Sequence, residues 1–183
     1  MLTKDYNMKQ CLNIGSGKSY RVSNSKEKWI NLDINTDWKP DIIHNLIEFP
    51  YPFKDNQFDF IEANNILEHF TGEELLKVLK ELGRITNEKG YIWVRVPHHS
   101  SSSAYQIHHK LFFHIRFFNK LNIPIVRVLD KKLVLSENRF MWLLNKIANI
   151  NPYIWERFFC YYYPIKMVEF KIRVNNKIKN NIR

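Results

Sequence analysis

The stretch Cys11-Leu12-Asn13-Ile14-Gly15-Ser16-Gly17-Lys18-Ser19 (CLNIGSGKS) decides the fold, because three kinds of ligand-binding turn compete for its glycines. A triphosphate-binding loop needs Gly-x-x-x-x-Gly-Lys-Ser/Thr, the first glycine opening a nest of backbone amides for the anion. Counting back five residues from Gly17 reaches Leu12, a strand leucine, so Lys18-Ser19 is a coincidence. A dinucleotide turn, Gly-x-Gly-x-x-Gly, places Tyr20 where close strand–helix packing wants a small residue. What remains is a strand, a Gly-x-Gly turn and a second strand, Trp29-Ile30-Asn31-Leu32-Asp33, that ends in an acid 18 residues after Gly15. An acid there can accept both hydroxyls of a ribose, and the glycines let backbone approach a ligand closely. The pattern reads as a nucleoside site that does not require phosphate. The plain alternative is a tight turn followed by a surface aspartate.

Outward from this unit, β-type runs recur at Asp41–His44, Phe58–Ala63 and Tyr91–Val96, the last stopped by Pro97. Thr71-Gly72-Glu73-Glu74 is a capping box, followed by Leu75, Leu76, Leu79 and Leu82 at helical spacing. Strands separated by helical stretches pair in parallel, which gives an α/β fold. The second half is more aromatic. It reads as a helix over Phe112–Leu121, β-structure over Ile125–Leu135, helices over Asn138–Asn149 and Tyr153–Tyr163 separated by Pro152, and a strand over Lys166–Val174.

With 183 residues, 45% hydrophobic and 15% aromatic, the chain is long enough to bury about 70% of its unfolded surface around one core. MLTKDYNMKQ lacks the apolar core of a signal peptide, and LFFHIRFF is broken by His114 and Arg116, so the expectation is a cytoplasmic protein without a membrane span. Cys11 and Cys160 form neither a disulfide framework nor a metal knuckle. The net charge of +10 is diffuse except near the end, where Lys166, Lys171, Arg173, Lys177, Lys179 and Arg183 face one acid, Glu169. That reads as a solvated face and tail, with nucleic acid as a partner that is possible in principle and not favoured.

The first two motifs resemble those of class I S-adenosylmethionine-dependent methyltransferases, in particular a small type-11-like domain with Asn before the loop. The resemblance continues in order: Phe49-Pro50-Tyr51-Pro52-Phe53, Phe58-Asp59-Phe60-Ile61, Ile66-Leu67-Glu68-His69-Phe70, and Arg84-Ile85-Thr86-Asn87-Glu88-Lys89-Gly90 before the fifth strand. Beyond Pro97 it thins to Glu156–Pro164 and Glu169-Phe170-Lys171-Ile172, which look like the family's last helix and final strand. It implies a single doubly wound Rossmann-like domain over residues 1–174, with a mostly parallel seven-stranded sheet and an antiparallel last strand, then a basic tail over 175–183.

The resemblance also implies S-adenosylmethionine as cofactor. Gly15, Ser16 and Gly17 would floor its site, Asp33 would hold the ribose hydroxyls, and Ile34 would pack on adenine. Asn45 stands where relatives carry an acid for the adenine amino group, with the Leu46 amide beside it, and Asn13 replaces an acid facing the cofactor's ammonium. Asn64 and Asn65 would meet the methionine end, turn capping being the equal alternative. Methyl transfer depends chiefly on alignment. Where a hydroxyl or amine must lose its proton, His98 and His99 are the expected bases, with His108, His109 and Tyr105 next. The histidines have no Cys or acid interleaved, and adjacent side chains seldom point at one ion, so no metal is expected. His69 reads as a helix-start or packing residue, and Ser100–Ser103 as a polar loop over substrate. The expected activity is methylation of a small or sugar-like acceptor; the alternatives are a catalytically silent binding module and a nucleic-acid-directed protein that uses the basic C-terminal surface.

Overall fold

Strands that alternate apolar and polar residues make a sheet with one dry face and one wetter face, whereas strands buried on both sides read as continuous apolar runs. The chain alternates. In the computed structural model, which describes residues 8–121, 126–138 and 141–174, the strands are β1 (Lys9–Ile14), β2 (Glu27–Asp33), β3 (Ile42–Ile43), β4 (Phe58–Asn64), β5 (Thr86–Pro97), β6 (Val126–Val134) and β7 (Met167–Val174). They form one sheet in the order β3-β2-β1-β4-β5-β7-β6. Six strands share a direction, and β7 runs antiparallel between β5 and β6. The antiparallel last strand is therefore present, as is the mostly parallel seven-stranded sheet.

On the dry face, the paired residues Leu12 and Ile14, Ile61 and Ala63, and Ile92, Val94 and Val96 are fully buried. Helix α1 (Gly72–Ile85) adds Leu75, Val78, Leu79, Leu82 and Ile85 to the same core. Each such leucine, fully buried, contributes about 2 kcal/mol. The helix starts where the capping box placed it: Thr71 Oγ1 accepts from the Glu74 amide, and the Glu74 carboxylate accepts from the Thr71 amide. Across the opposite face runs a half-buried row, Trp29–Phe60–Tyr91, with ring centroids 5.6 and 5.0 Å apart. The Lys9 and Lys171 ammoniums lie over it.

The segment Phe49–Phe53 is fastened to α1 by Arg84, which donates to the Tyr51 and Phe53 carbonyls, to Asp55 and to both oxygens of Glu81. Glu81 also accepts from the Tyr51 amide. In the first half of β5, the pairing with β4 jumps from Phe58↔Thr86 to Phe60↔Tyr91, an irregularity that absorbs Asn87–Gly90. Gly90 is required there, since a Cβ would lie 2.9 Å from the Phe58 carbonyl oxygen.

The second half departs from expectation in its helices. Only α2 (Phe117–Lys120) forms within Phe112–Leu121. Phe113 is drawn instead into a bridge with His98, and the Ile115 amide donates to Glu156. Helix α3 spans Trp142–Ile150, and α4 spans Pro152–Phe158, ending five residues short of Tyr163. Pro152 opens α4 at a position where its missing N–H costs nothing, and Asn151 caps it. Tyr161, Tyr162 and Tyr163 are exposed. Among the described residues no helix is long and apolar enough to cross a membrane. The basic tail at 175–183 lies outside the described residues.

Two carboxylates tie this fold to pH. Burial alone would raise Glu81 and Glu156, but hydrogen bonds outweigh it and hold both below the ordinary range: Arg84 and the Tyr51 amide for Glu81, His98 and the Ile115 amide for Glu156. A depressed folded-state pKa gives stability that is present above the unfolded value of about 4.3 and lost as pH falls through the folded value. Unfolding free energy should therefore fall steeply below about pH 4, and Glu81→Gln should flatten that acid limb in denaturant titrations run across pH. An unchanged acid limb would show that Glu81 carries no such linkage.

Candidate functional site

At the carboxyl end of β1 the chain turns through two left-handed residues, Gly15 (φ +60°) and Gly17 (φ +44°). A Cβ on Gly15 would sit 2.6 Å from Ile66 Cδ1, so this glycine serves both the turn and the packing of the β4–α1 connection, whereas Gly17 faces open space. Asp33 clamps the turn from the end of β2, its two oxygens accepting from the Gly17 amide (2.7 Å) and the Asn35 amide (2.8 Å). Each carboxylate oxygen offers two lone-pair directions, so one on each remains for a ligand hydroxyl.

Two polar atoms beside this turn have nothing to bond. The Ser16 hydroxyl and the Asn64 amide oxygen are buried without a partner. Ile14 and Ala63 are in register on neighbouring central strands, which puts Gly15–Ser16 and Asn64 side by side at their carboxyl ends. A buried polar group left unpaired costs about 1 to 3 kcal/mol. Two of them flanking a glycine turn and an acid fit a polar, nucleoside-bearing ligand such as S-adenosylmethionine. Ile34, 61% exposed, stands just beyond Asp33 with its side chain free to cover a ring.

Other expected contacts are differently employed. Asn13 is buried and spends its amide hydrogens on the Ser19 carbonyl (2.8 Å) and Asn31 Oδ1 (3.1 Å), which positions the loop. Asn31, which sequence reasoning passed over, is the hub of that network. It also bonds Arg21 through its carbonyl and amide, and Asp41. With Arg21 paired to the buried Glu62, these bonds hold residues 15–26 in place as coil, a crossover that contains no helix. Asn45 caps its own turn, accepting from the Ile47 amide (3.2 Å) and donating to Glu48 (3.3 Å). The Leu46 side chain is buried in the core and its carbonyl accepts from the Tyr51 hydroxyl. Asn65 adopts φ +52° and its amide donates to the Arg95 carbonyl (2.8 Å), so turn formation explains its backbone. Its side chain lines a cavity.

That cavity, about 360 Å³, also takes in Glu68, His69, Arg95, Gln106 and His109. Leu67–His69 is a single 3-10 turn. The Glu68 carbonyl accepts from the Lys110 and Leu111 amides (2.8 and 3.1 Å), which ties the Gln106–Leu111 loop to this turn and brings His109 against His69, ring centroids 4.8 Å apart. The Glu68 carboxylate is 1% exposed, neither oxygen has a partner, and burial pushes its pKa up to about 7. On the opposite wall Arg95 and Lys166 both pair with Glu137. The Leu-Glu-His run was visible in the sequence; its convergence with a histidine 40 residues later was not.

The expected bases fall elsewhere. His98 is completely buried, its Nδ1 accepting from the Ser100 amide (3.1 Å) and its Nε2 donating to Glu156 (3.0 Å). With both ring nitrogens committed to protein, His98 has no lone pair for a substrate proton; it locks the end of β5 to α4. His99 is held below the usual histidine value by burial and then by the neighbouring His98. It lines a second cavity of about 390 Å³ with His114, Arg116, Glu156 and Tyr161, and none of the expected cofactor residues lines that cavity.

Residues 10–94 match the sequence model of a family described as a methyltransferase domain. An uncharacterized protein of Methanocaldococcus jannaschii is 34% identical over 102 residues, which is 55% of this chain and 41% of that protein, so the match spans less than half of the relative's length. Among solved structures, a SAM-dependent methyltransferase of Archaeoglobus fulgidus aligns with a TM-score of 0.59 at 14% identity, covering 91% of this chain and 86% of that one. An S-adenosylmethionine-dependent methyltransferase of Mesorhizobium loti aligns at 0.62 and 7% identity, covering 92% of each. The [4+2]-cyclase SpnF also aligns at 0.62, with 14% identity over 92% of this chain and 75% of that one. The fold is thus the one seen in S-adenosylmethionine-dependent methyltransferases, residues 10–94 match a methyltransferase-domain family, and S-adenosylmethionine is the cofactor that this likeness implies.

Proposed function

We propose that this chain binds S-adenosylmethionine across the carboxyl ends of β1, β2 and β4 and directs methyl transfer to a small polar acceptor, sugar-like in its hydroxyls, in the cavity beside Asn65. The observation that carries the reading is the pair of buried, unpartnered atoms, Ser16 Oγ and Asn64 Oδ1, beside the Gly15–Gly17 turn that Asp33 clamps. When bound, the cofactor supplies an electrophilic methyl group on a sulfonium. Asp33 receives the ribose hydroxyls on its free lone pairs, Ile34 covers the adenine face, and Ser16 and Asn64 fix the methionine portion. Asn65 borders both this site and the cavity, so it stands between cofactor and acceptor. Alignment of this kind is worth about 7 to 11 kcal/mol of barrier, with no obligatory covalent role for a side chain. The cavity volume suits a small molecule.

Because a cyclase shares the fold, the fold does not settle the reaction. A silent binding module is favoured by one observation, the engagement of both His98 nitrogens. Isothermal calorimetry with S-adenosylmethionine and with its demethylated product tests the first step. Heat with a dissociation constant on the order of micromolar is expected. No heat and no thermal shift with the intact chain would remove the enzyme reading. Binding without methyl turnover against a panel of polyols and sugars would leave the silent module.

A further inference from the structure

The Glu68–His69–His109 cluster is not used by the cofactor site, and its geometry is that of a ligand set. One donor atom from each residue lies within 4.8 Å of the other two. Glu68 carries two buried, unpartnered oxygens, and His109 Nδ1 is likewise buried without a partner. His69 Nδ1 lies 3.3 Å from the His108 carbonyl. A carbonyl only accepts, so Nδ1 bears the hydrogen and Nε2 keeps its lone pair; a backbone carbonyl on the other ring nitrogen is the usual orienting partner of a metal-binding histidine. We propose that Glu68, His69 and His109 bind one divalent cation at the wall of the Asn65 cavity. Two imidazoles and one carboxylate suit Zn2+, Co2+ or Mn2+, and leave coordination positions open for oxygen ligands. Local spacing could not reveal this set, because two ligands sit on the 3-10 turn and the third arrives from a loop pinned to it by two amide bonds. The neighbouring pair His98-His99 does not join it: His98 is saturated by Ser100 and Glu156.

The use of such a cation rests on the methyltransferase reading. A hydroxyl acceptor bound to it loses its proton to solvent more readily, and its oxygen lone pair forms the new C–O bond while the C–S bond breaks with its electron pair passing to sulfur. Binding itself is independent of that step and can be read alone. The chelator-stripped full chain, titrated with Co2+ alone, should show visible d–d absorption saturating at one equivalent, and Zn2+ should displace it. Glu68→Gln and His109→Ala should each weaken binding by more than about 100-fold, while His99→Ala leaves the spectrum unchanged. Glu68→Gln keeps the side-chain shape and so guards against a variant that fails to fold; circular dichroism of each variant without metal checks this. Absence of saturable Co2+ or Zn2+ binding, equal binding in Glu68→Gln, or loss of binding in His99→Ala would each overturn the site. S-adenosylmethionine calorimetry on the stripped protein separates the two ideas: cofactor binding without cation binding removes only this proposal, and cation binding without cofactor binding removes only the methyltransferase reading.

Discussion

Replacing Arg84 with alanine should lower the unfolding free energy by about 3 kcal/mol, the low end of the scale for removing one partner of a buried ion pair, since Arg84 and Glu81 are mostly but not fully buried. Its guanidinium makes five hydrogen bonds: two to Glu81, at 3.0 and 2.6 Å, one to Asp55 at 2.7 Å, and one each to the Phe53 and Tyr51 carbonyls at 2.9 and 3.1 Å. The truncated variant leaves the Glu81 carboxylate, 11% exposed, without its cation and with the Tyr51 amide still donating to it. Lysine cannot substitute, because a point charge lacks the planar fork that reaches Glu81 and two carbonyls together. Urea midpoints for the native chain, Arg84→Ala, Arg84→Lys and the double variant Arg84→Met with Glu81→Leu measure this. The double variant should recover part of the loss, since it removes the stranded charge as well. A loss below about 1 kcal/mol in Arg84→Ala would mean that solvent replaces the guanidinium and that the Tyr51–Asp55 segment is held by its aromatic packing.

Asp33→Ala should weaken S-adenosylmethionine binding by about 100-fold or more. Two hydrogen bonds from ribose hydroxyls to a carboxylate are worth about 1.5 kcal/mol each at the low end, and 1.4 kcal/mol is a factor of ten. The same side chain accepts from the Gly17 and Asn35 amides, so its loss also loosens the turn that forms the floor of the site. Thermal denaturation of the ligand-free variant isolates that structural share, expected at about 1 to 2 kcal/mol. Asp33→Asn retains one acceptor oxygen and should fall between the two. Unchanged calorimetric affinity in Asp33→Ala would place the cofactor elsewhere.

The strands and α1 were legible because alternation and the capping box are local signals: Thr71 and Glu74 bond each other three residues apart. So was the Gly15–Asp33 unit, whose two ends meet through one amide bond. The second-half helices were less so. Phe112–Leu121 has helical composition, but Phe113 bridges to His98 and Ile115 donates to Glu156, two long-range bonds that override propensity. The position of Asn13 was legible but its partner was not: Asn31, in register on β2, accepts from its amide.

The antiparallel last strand was an implication of the family resemblance, and the sequence alone determined where the strands and α1 lie and where the glycine turn falls. These follow from periods of 2 and 3.6 residues and from glycine's access to positive φ. Only tertiary structure decided which polar side chains are free. His98 carries the expected chemistry but is saturated by Ser100 and Glu156, whereas Glu68, beside a histidine read as a helix-start or packing residue, is buried with both oxygens open. Whether a polar atom is spent or available depends on distant partners, 58 residues away in the case of His98 and Glu156, and no local pattern in the chain records that distance.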